Sequence, residues 1–281
     1  MKLLLIAISF CCFNSLAYAQ KPDKDILDHV RIRAYYLLAK KTSPSTPAYR
    51  RDTMVLDIGK QVSKFYDPAR LGRDSAMSQL MNGKREDIKS LQVFKGDKGK
   101  DLSNLPGMRS SNAMEGESYQ ILKEKQGITV FDYLSGAAGA KLQYEDPFPK
   151  LNWELVEGTD TVATYACQKA LLKFRGRNYT AWFSPDIPVN EGPWKFSGLP
   201  GLILKIEDAD QLFSFTLIGM IQPKSVLPII LSKADFLKCS REDFTQRRKK
   251  QGMGMQLHFA DGVLSIAELP GKYDPLLMEL E

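Results

Sequence analysis

From Val162 to Leu217 the chain is built from short runs in which apolar residues return at every second position. Tyr165, Cys167, Lys169 and Leu171 fall on one face of a run. Ala166, Ala170, Leu172 and Phe174 fall on the other. Tyr179, Ala181 and Phe183 alternate with Thr180 and Trp182; Leu202, Leu204 and Ile206 alternate with Ile203 and Lys205; Phe213, Phe215 and Leu217 alternate with Ser214 and Thr216. A period of two is the signature of a β-strand with one buried face. Arg175-Gly176-Arg177-Asn178 and Asp208-Ala209-Asp210 lie between these runs as hairpin turns. Shorter runs of the same kind stand at 53–58, 62–66, 119–123, 129–134 and 141–144. Strands do not alternate with helices, which argues against a parallel α/β sheet.

Helical signals are fewer. Asp67 and Pro68 open a candidate helix reaching about Leu80, with Asp67 as N-cap. Ser232 is the expected cap of a C-terminal helix over about 232–251, whose last turn is strongly basic. Residues 21–41 fit a helix or a strand. The stretch near 84–117 is polar and Gly-rich and reads as a mobile insertion. The expected fold class is α+β: a curved, mainly antiparallel β-sheet with that C-terminal helix and one or two further helices.

The alternation is interrupted once by turn chemistry wrapped around large side chains, at Gly192-Pro193-Trp194-Lys195-Phe196-Ser197-Gly198-Leu199-Pro200-Gly201-Leu202-Ile203. Two readings stand side by side. In the first the loop is structural: Gly192, Pro193, Gly198, Pro200 and Gly201 let it fold tightly, with a type II turn at Pro200-Gly201. Trp194 and Phe196 then plug one end of the sheet. In the second it is a lid. Trp182 and Trp194 form an apolar mouth, and Arg175, Arg177 and Lys195 a basic rim, with Phe196 in the same ligand or partner loop, suited to an anionic or lipid-like ligand or an extended peptide.

The first residues have a different character. Met1-Lys2 precedes an apolar run from Leu3 to Phe13, and Ala17-Tyr18-Ala19 follows. This is the pattern of a secretory signal peptide cleaved after Ala19. It leaves a single domain over 20–281 with no transmembrane span. Lys and Arg number 39 against 33 Asp and Glu, a net +6. That field is weak for nucleic-acid binding, and Arg247-Arg248-Lys249-Lys250 reads as a solvated helix face. Cys167 and Cys239 are the cysteines that outlast cleavage. In an oxidising compartment they are a candidate disulfide closing a loop of about seventy residues, worth roughly 4 kcal/mol in the chain-entropy model; the alternative is a packed thiol in a strand and a free one on a helix.

Gly198-Leu199-Pro200-Gly201-Leu202-Ile203 spells the signature of the GLPGLI family of exported proteins. The flanks resemble that family as well: Phe174-Arg175-Gly176-Arg177, Trp182-Phe183, Ile187-Pro188-Val189, Gly192-Pro193-Trp194-Lys195-Phe196 and Ile206-Glu207-Asp208. The resemblance is tight from about Trp153 to Ile218. It implies an exported protein of the Gram-negative envelope, in the periplasm or on the periplasmic face of the outer membrane, and no particular activity.

Chemical constellations are sparse. His29 and His258 lie far apart, no G-x-S-x-G elbow is present, and no phosphate-cradling loop ends in Lys-Ser or Lys-Thr. Glu207, Asp208 and Asp210 offer oxygens for a cation, and Met253 and Met255 offer thioethers; an Asp-rich turn and packing explain both as well. No metal site, cofactor or catalytic residue is expected. The sequence therefore suggests a non-catalytic exported binding protein whose partner is an unknown envelope protein or a lipid-like ligand. The alternatives are a carboxylate-dependent hydrolase of envelope or imported glycans, and a purely structural accessory subunit.

Overall fold

The computed structural model describes residues 24–41, 44, 47–82, 90–95, 116–133, 141–232, 235–250, 254–260, 263–269 and 278–280. The expected signal segment 1–19, Met253 and most of the stretch near 84–117 lie outside them.

The segment that fits helix or strand equally well is strand. After β1 (Lys24–His29) comes β2 (Ile32–Lys41), in which Ala34, Tyr36 and Leu38 are fully buried at every second position. β3 (Tyr49–Ile58) and β4 (Ser63–Tyr66) follow as antiparallel neighbours, with Tyr36 opposite Met54 and Leu56 opposite Phe65. The β3–β4 turn is fastened from outside: the Asp28 carboxylate accepts the Gln61 and Val62 amides at 2.6 and 3.1 Å. α1 (Pro68–Asn82) starts where expected, because Asp67 accepts the Arg70 amide at 2.9 Å as its cap. Within the polar stretch, β5 (Ser90–Lys95) is a strand.

β6 (Gln120–Glu124), β7 (Gly127–Tyr133) and β8 (Lys141–Asp146) extend this half antiparallel from β4. The other half is a meander of β9 (Glu154–Val162), β10 (Tyr165–Phe174), β11 (Arg177–Ser184), β12 (Leu202–Asp208) and β13 (Phe213–Ile221). The run that begins at Val162 is thus two strands divided at Ala163-Thr164, both at positive φ. β13 closes onto β2, joining the halves into one 12-stranded sheet.

The α+β expectation is corrected: the protein is mostly β, its large sheet is mixed, and α1 and α2 are the helices among the described residues. The correction comes from the segment expected to be helix over 232–251. β14 (Pro228–Ser232) ends at the expected cap residue, paired with β1. β15 (Leu237–Lys238) lies parallel to β8, so the sheet is not antiparallel throughout. Phe236, which lies inside the expected helix, instead packs edge-on against Phe131 and Tyr133. The helix is α2 (Arg241–Lys250), and its cap is Ser240, whose Oγ accepts the Asp243 amide at 3.0 Å. β16 (Gly254–Ala260) and β17 (Val263–Leu269) form a hairpin that takes β5 alongside β17.

One apolar cluster draws on both halves of the sheet, from Met54 and Ile121 to Phe183 and Phe215. A smaller one around Leu122, Phe131 and Ile229 lies under β1 and β14. Strands that are not direct neighbours are also tied together: the Tyr36 hydroxyl of β2 donates to the Ile203 carbonyl of β12, one strand beyond β13, at 2.7 Å. The candidate Cys167–Cys239 disulfide is not formed. Cys167 sits in β10 beside one edge of the sheet with its thiol on the Tyr165 carbonyl, whereas Cys239 follows β15 at the opposite edge with its thiol on the Gln143 carbonyl.

Candidate functional site

The loop from β11 to β12 is pinned by its own backbone. Leu202 N–H donates to Ile187 O, and Ile203 N–H to Glu191 O, both at 3.0 Å. Gly201, at φ 151°, runs so close to Ser184 that a Cβ would stand 2.1 Å from that carbonyl oxygen. Only glycine fits such an approach. The expected type II turn is replaced by a tighter one, in which Gly201 N–H bonds Leu199 O at 2.8 Å. Trp194 holds φ 55°, a left-handed conformation that is strained for a bulky residue and costs about 1–3 kcal/mol. Its ring is held by Phe174 and Phe196, at 6.2 and 5.1 Å between centroids.

That backbone turns Lys195 inward, where its side chain is 1% exposed. Its Nζ donates to Tyr144 OH at 2.9 Å, to Asp146 Oδ2 at 3.1 Å and to Glu279 Oε1, which occupies its three protons. Arg175 belongs to the same network. It stands with Gly176 in the β10–β11 turn, at φ 44° and 78°, the pair of positive values a type I′ hairpin needs. From there it donates to both Asp146 oxygens at 2.8 Å and to Glu279 at 2.5 Å. Burial pushes the Lys195 ammonium below its usual pKa, against the pull of Glu279 and Asp146. Burial likewise drives the Tyr144 phenol up, so it stays a neutral hydroxyl.

The residues expected to form one mouth and rim are therefore divided. Trp194, Lys195, Phe196 and Arg175 come together, but buried and mutually satisfied. Arg177 leaves them to pair with Asp208 and Asp210 and to lie 5.0 Å from the Phe213 ring. Trp182 is on the opposite face of β11 from Ala181 and Phe183, with Lys169 over its ring at 5.7 Å. The acidic turn is also structural, since Asp208 Oδ1 accepts the Leu212 and Phe213 amides at 2.8 Å.

Trp194 and Lys195 do reach a cavity of about 70 Å³. Its apolar wall includes Ile121 and Val130 from the sheet, Phe244 from α2 and Met278 from the tail. Its polar groups stand at two places. One is Lys195 with Glu279. The other is Lys40, Glu117, Asp132 and Arg248, which the sequence reading missed. There Lys40 donates to Glu117 at 2.9 Å, Arg50 donates to the same oxygen, and Arg248 pairs with Asp132. Burial pushes the Glu117 carboxyl up, but Lys40, Arg50 and Arg248 outweigh it and hold it at about 2. The one local signal for this cluster was Asp132, a charge inside the apolar run Val130-Phe131-Asp132-Tyr133. Its neighbours are brought in by β2, by the segment that leads into β6, and by α2.

The wall can hold an apolar body against rings and offers donors and acceptors in matched pairs. No group of His, Cys, Asp and Glu with metal-binding geometry occurs among the described residues. None of the helices among them is long and apolar enough to cross a membrane.

A family model described as "Protein of unknown function (Porph_ging)" matches residues 174–205, the stretch from the β10–β11 turn through the loop into β12. Two crystal structures of PNGF-II, in different space groups, are similar in fold. Each aligns with a TM-score of 0.50 at 9% identity, covering 83% of this chain and 35% of that one. The chain thus spans about a third of the length of the solved structures it matches, and the likeness concerns the fold alone. No curated protein matches the chain.

Proposed function

We propose that this chain is an exported envelope protein of the GLPGLI type that binds a small ligand in the cavity under α2, without catalysing a reaction on it. The cavity carries this reading: aromatic and aliphatic walls surround a space in which every lining carboxylate faces a cation. Such a lining recognises a ligand by shape and hydrogen bonding. It is poorly suited to glycan hydrolysis, which needs a carboxylic acid kept protonated near neutral pH. Glu117, held at about 2, is the opposite of such an acid. Export follows from the N-terminal pattern, with cleavage after Ala19 and residence in the periplasm or on the periplasmic face of the outer membrane.

Native mass spectrometry of the protein recovered from cell envelopes tests the binding role. The expected result is a retained small mass that is lost in Val130→Phe, which fills the cavity. A retained mass that persists in that folded variant, or a bare protein in both, overturns it. N-terminal sequencing of the same sample should begin at Gln20.

A further inference from the structure

At the end of the cavity lined by β7 and α2, opposite charges stand side by side. Asp132 is fully buried and takes a hydrogen bond from Ser118 Oγ as well as the ion pair from Arg248. Arg248 comes from α2 with its side chain 23% exposed, so it closes that pair from the solvent side. Lys40 and Glu117 form a second pair lining the same space. Beside them are Ile121, Val130, Phe244 and Met278.

The nature of these pairs limits what can enter. An anion alone would draw Arg248 away and leave the Asp132 carboxylate buried without a counter-charge. A cation alone would gain Asp132 but would sit beside Lys40 and a displaced Arg248. A ligand bearing both charges as substituents of one carbon can open the Arg248–Asp132 pair and leave neither group unmatched. Its ammonium takes Asp132 and its carboxylate takes Arg248. A water needs about 10–15 Å³ of such space, so the cavity of about 70 Å³ has room for only a short apolar group beyond the charges.

Resting on the binding role proposed above, we infer that the ligand class is a free α-amino acid with a small apolar side chain. Its charged end exchanges with the Arg248–Asp132 pair, and its side chain lies against Ile121, Val130 and Phe244.

Calorimetric titration of the mature chain with L-leucine, N-acetyl-leucine and leucine methyl ester tests this. L-leucine is expected to bind at least tenfold more tightly than either blocked form. Arg248→Met, and Arg248→Lys should the first variant unfold, is expected to weaken L-leucine at least tenfold. Equal binding of a blocked form overturns the ligand class. So does silence from all three compounds with a retained mass still present in the envelope-derived protein. L-leucine binding that survives Val130→Phe unchanged would instead overturn the cavity as the site.

Discussion

Gly201 and Ser184 meet backbone to backbone, leaving no room for a side chain. Gly201→Val is expected to lower stability by about 2–4 kcal/mol, through clash and unfavourable φ together. A thermal melt within a degree of the parent would show that the loop is a movable lid. Lys195 is held by charge as Gly201 is held by space. Lys195→Ala leaves Asp146 and Glu279 with less buried positive charge, and a loss of about 3–5 kcal/mol is expected in urea titration. Lys205→Ala, at a half-exposed pair, should cost about 0.5 kcal/mol or less. Glu117 supplies a pH dependence. Its folded value of about 2 lies below the ordinary 4.5, so its contribution is complete above pH 4.5 and disappears as pH falls through 2. At most this is about 3 kcal/mol. The urea midpoint difference between parent and Glu117→Gln should shrink over that range; a constant difference would contradict the ion cluster.

At the scale of elements, α2 is held with little apolar contact. Phe244 is its buried apolar side chain, its ring tilted by 50° against the Tyr144 ring at 4.8 Å between centroids, and the ion pairs of Arg241 and Arg248 flank it. Phe244→Ala should increase hydrogen exchange across 241–250 while β2 and β3 stay protected; protection lost equally in all three would mean that α2 is integral to the sheet. This helix also shows what the sequence conceals. The hairpins of β10 to β13 were legible because alternation and turn residues are local properties. The start of α2 was not, because Phe236 falls within the expected helix yet is claimed by Phe131 and Tyr133, about a hundred residues upstream. β5 was hidden in a polar stretch, since its pairing with β17 depends on a distant strand rather than on its own composition. The site divides in the same way. Trp194 and Lys195 stood out through their Gly- and Pro-rich surroundings. Lys40, Glu117 and Arg248 become neighbours only through the sheet.

For the molecule as a whole, β2 is the joint. It is the sole sheet connection among the described residues between the half ending at β3 and the half ending at β13. Deleting residues 1–41 should therefore abolish a cooperative unfolding transition; a truncated protein that still melted sharply would show that each half folds alone. Full-length refolding should take milliseconds to seconds or longer, because so much of the pairing is non-local. A microsecond phase carrying the full amplitude in stopped-flow or temperature-jump experiments would refute this. The same joint bears on synthesis. Tyr36 bonds to Ile203 across 167 residues of chain, and β2 emerges from the ribosome long before β12 and β13 exist. For that interval the nascent first half carries a bare strand edge with Ala34, Tyr36 and Leu38 still uncovered. Such a surface is prone to premature association, so a holding chaperone during synthesis should increase the yield of this protein more than one acting after release.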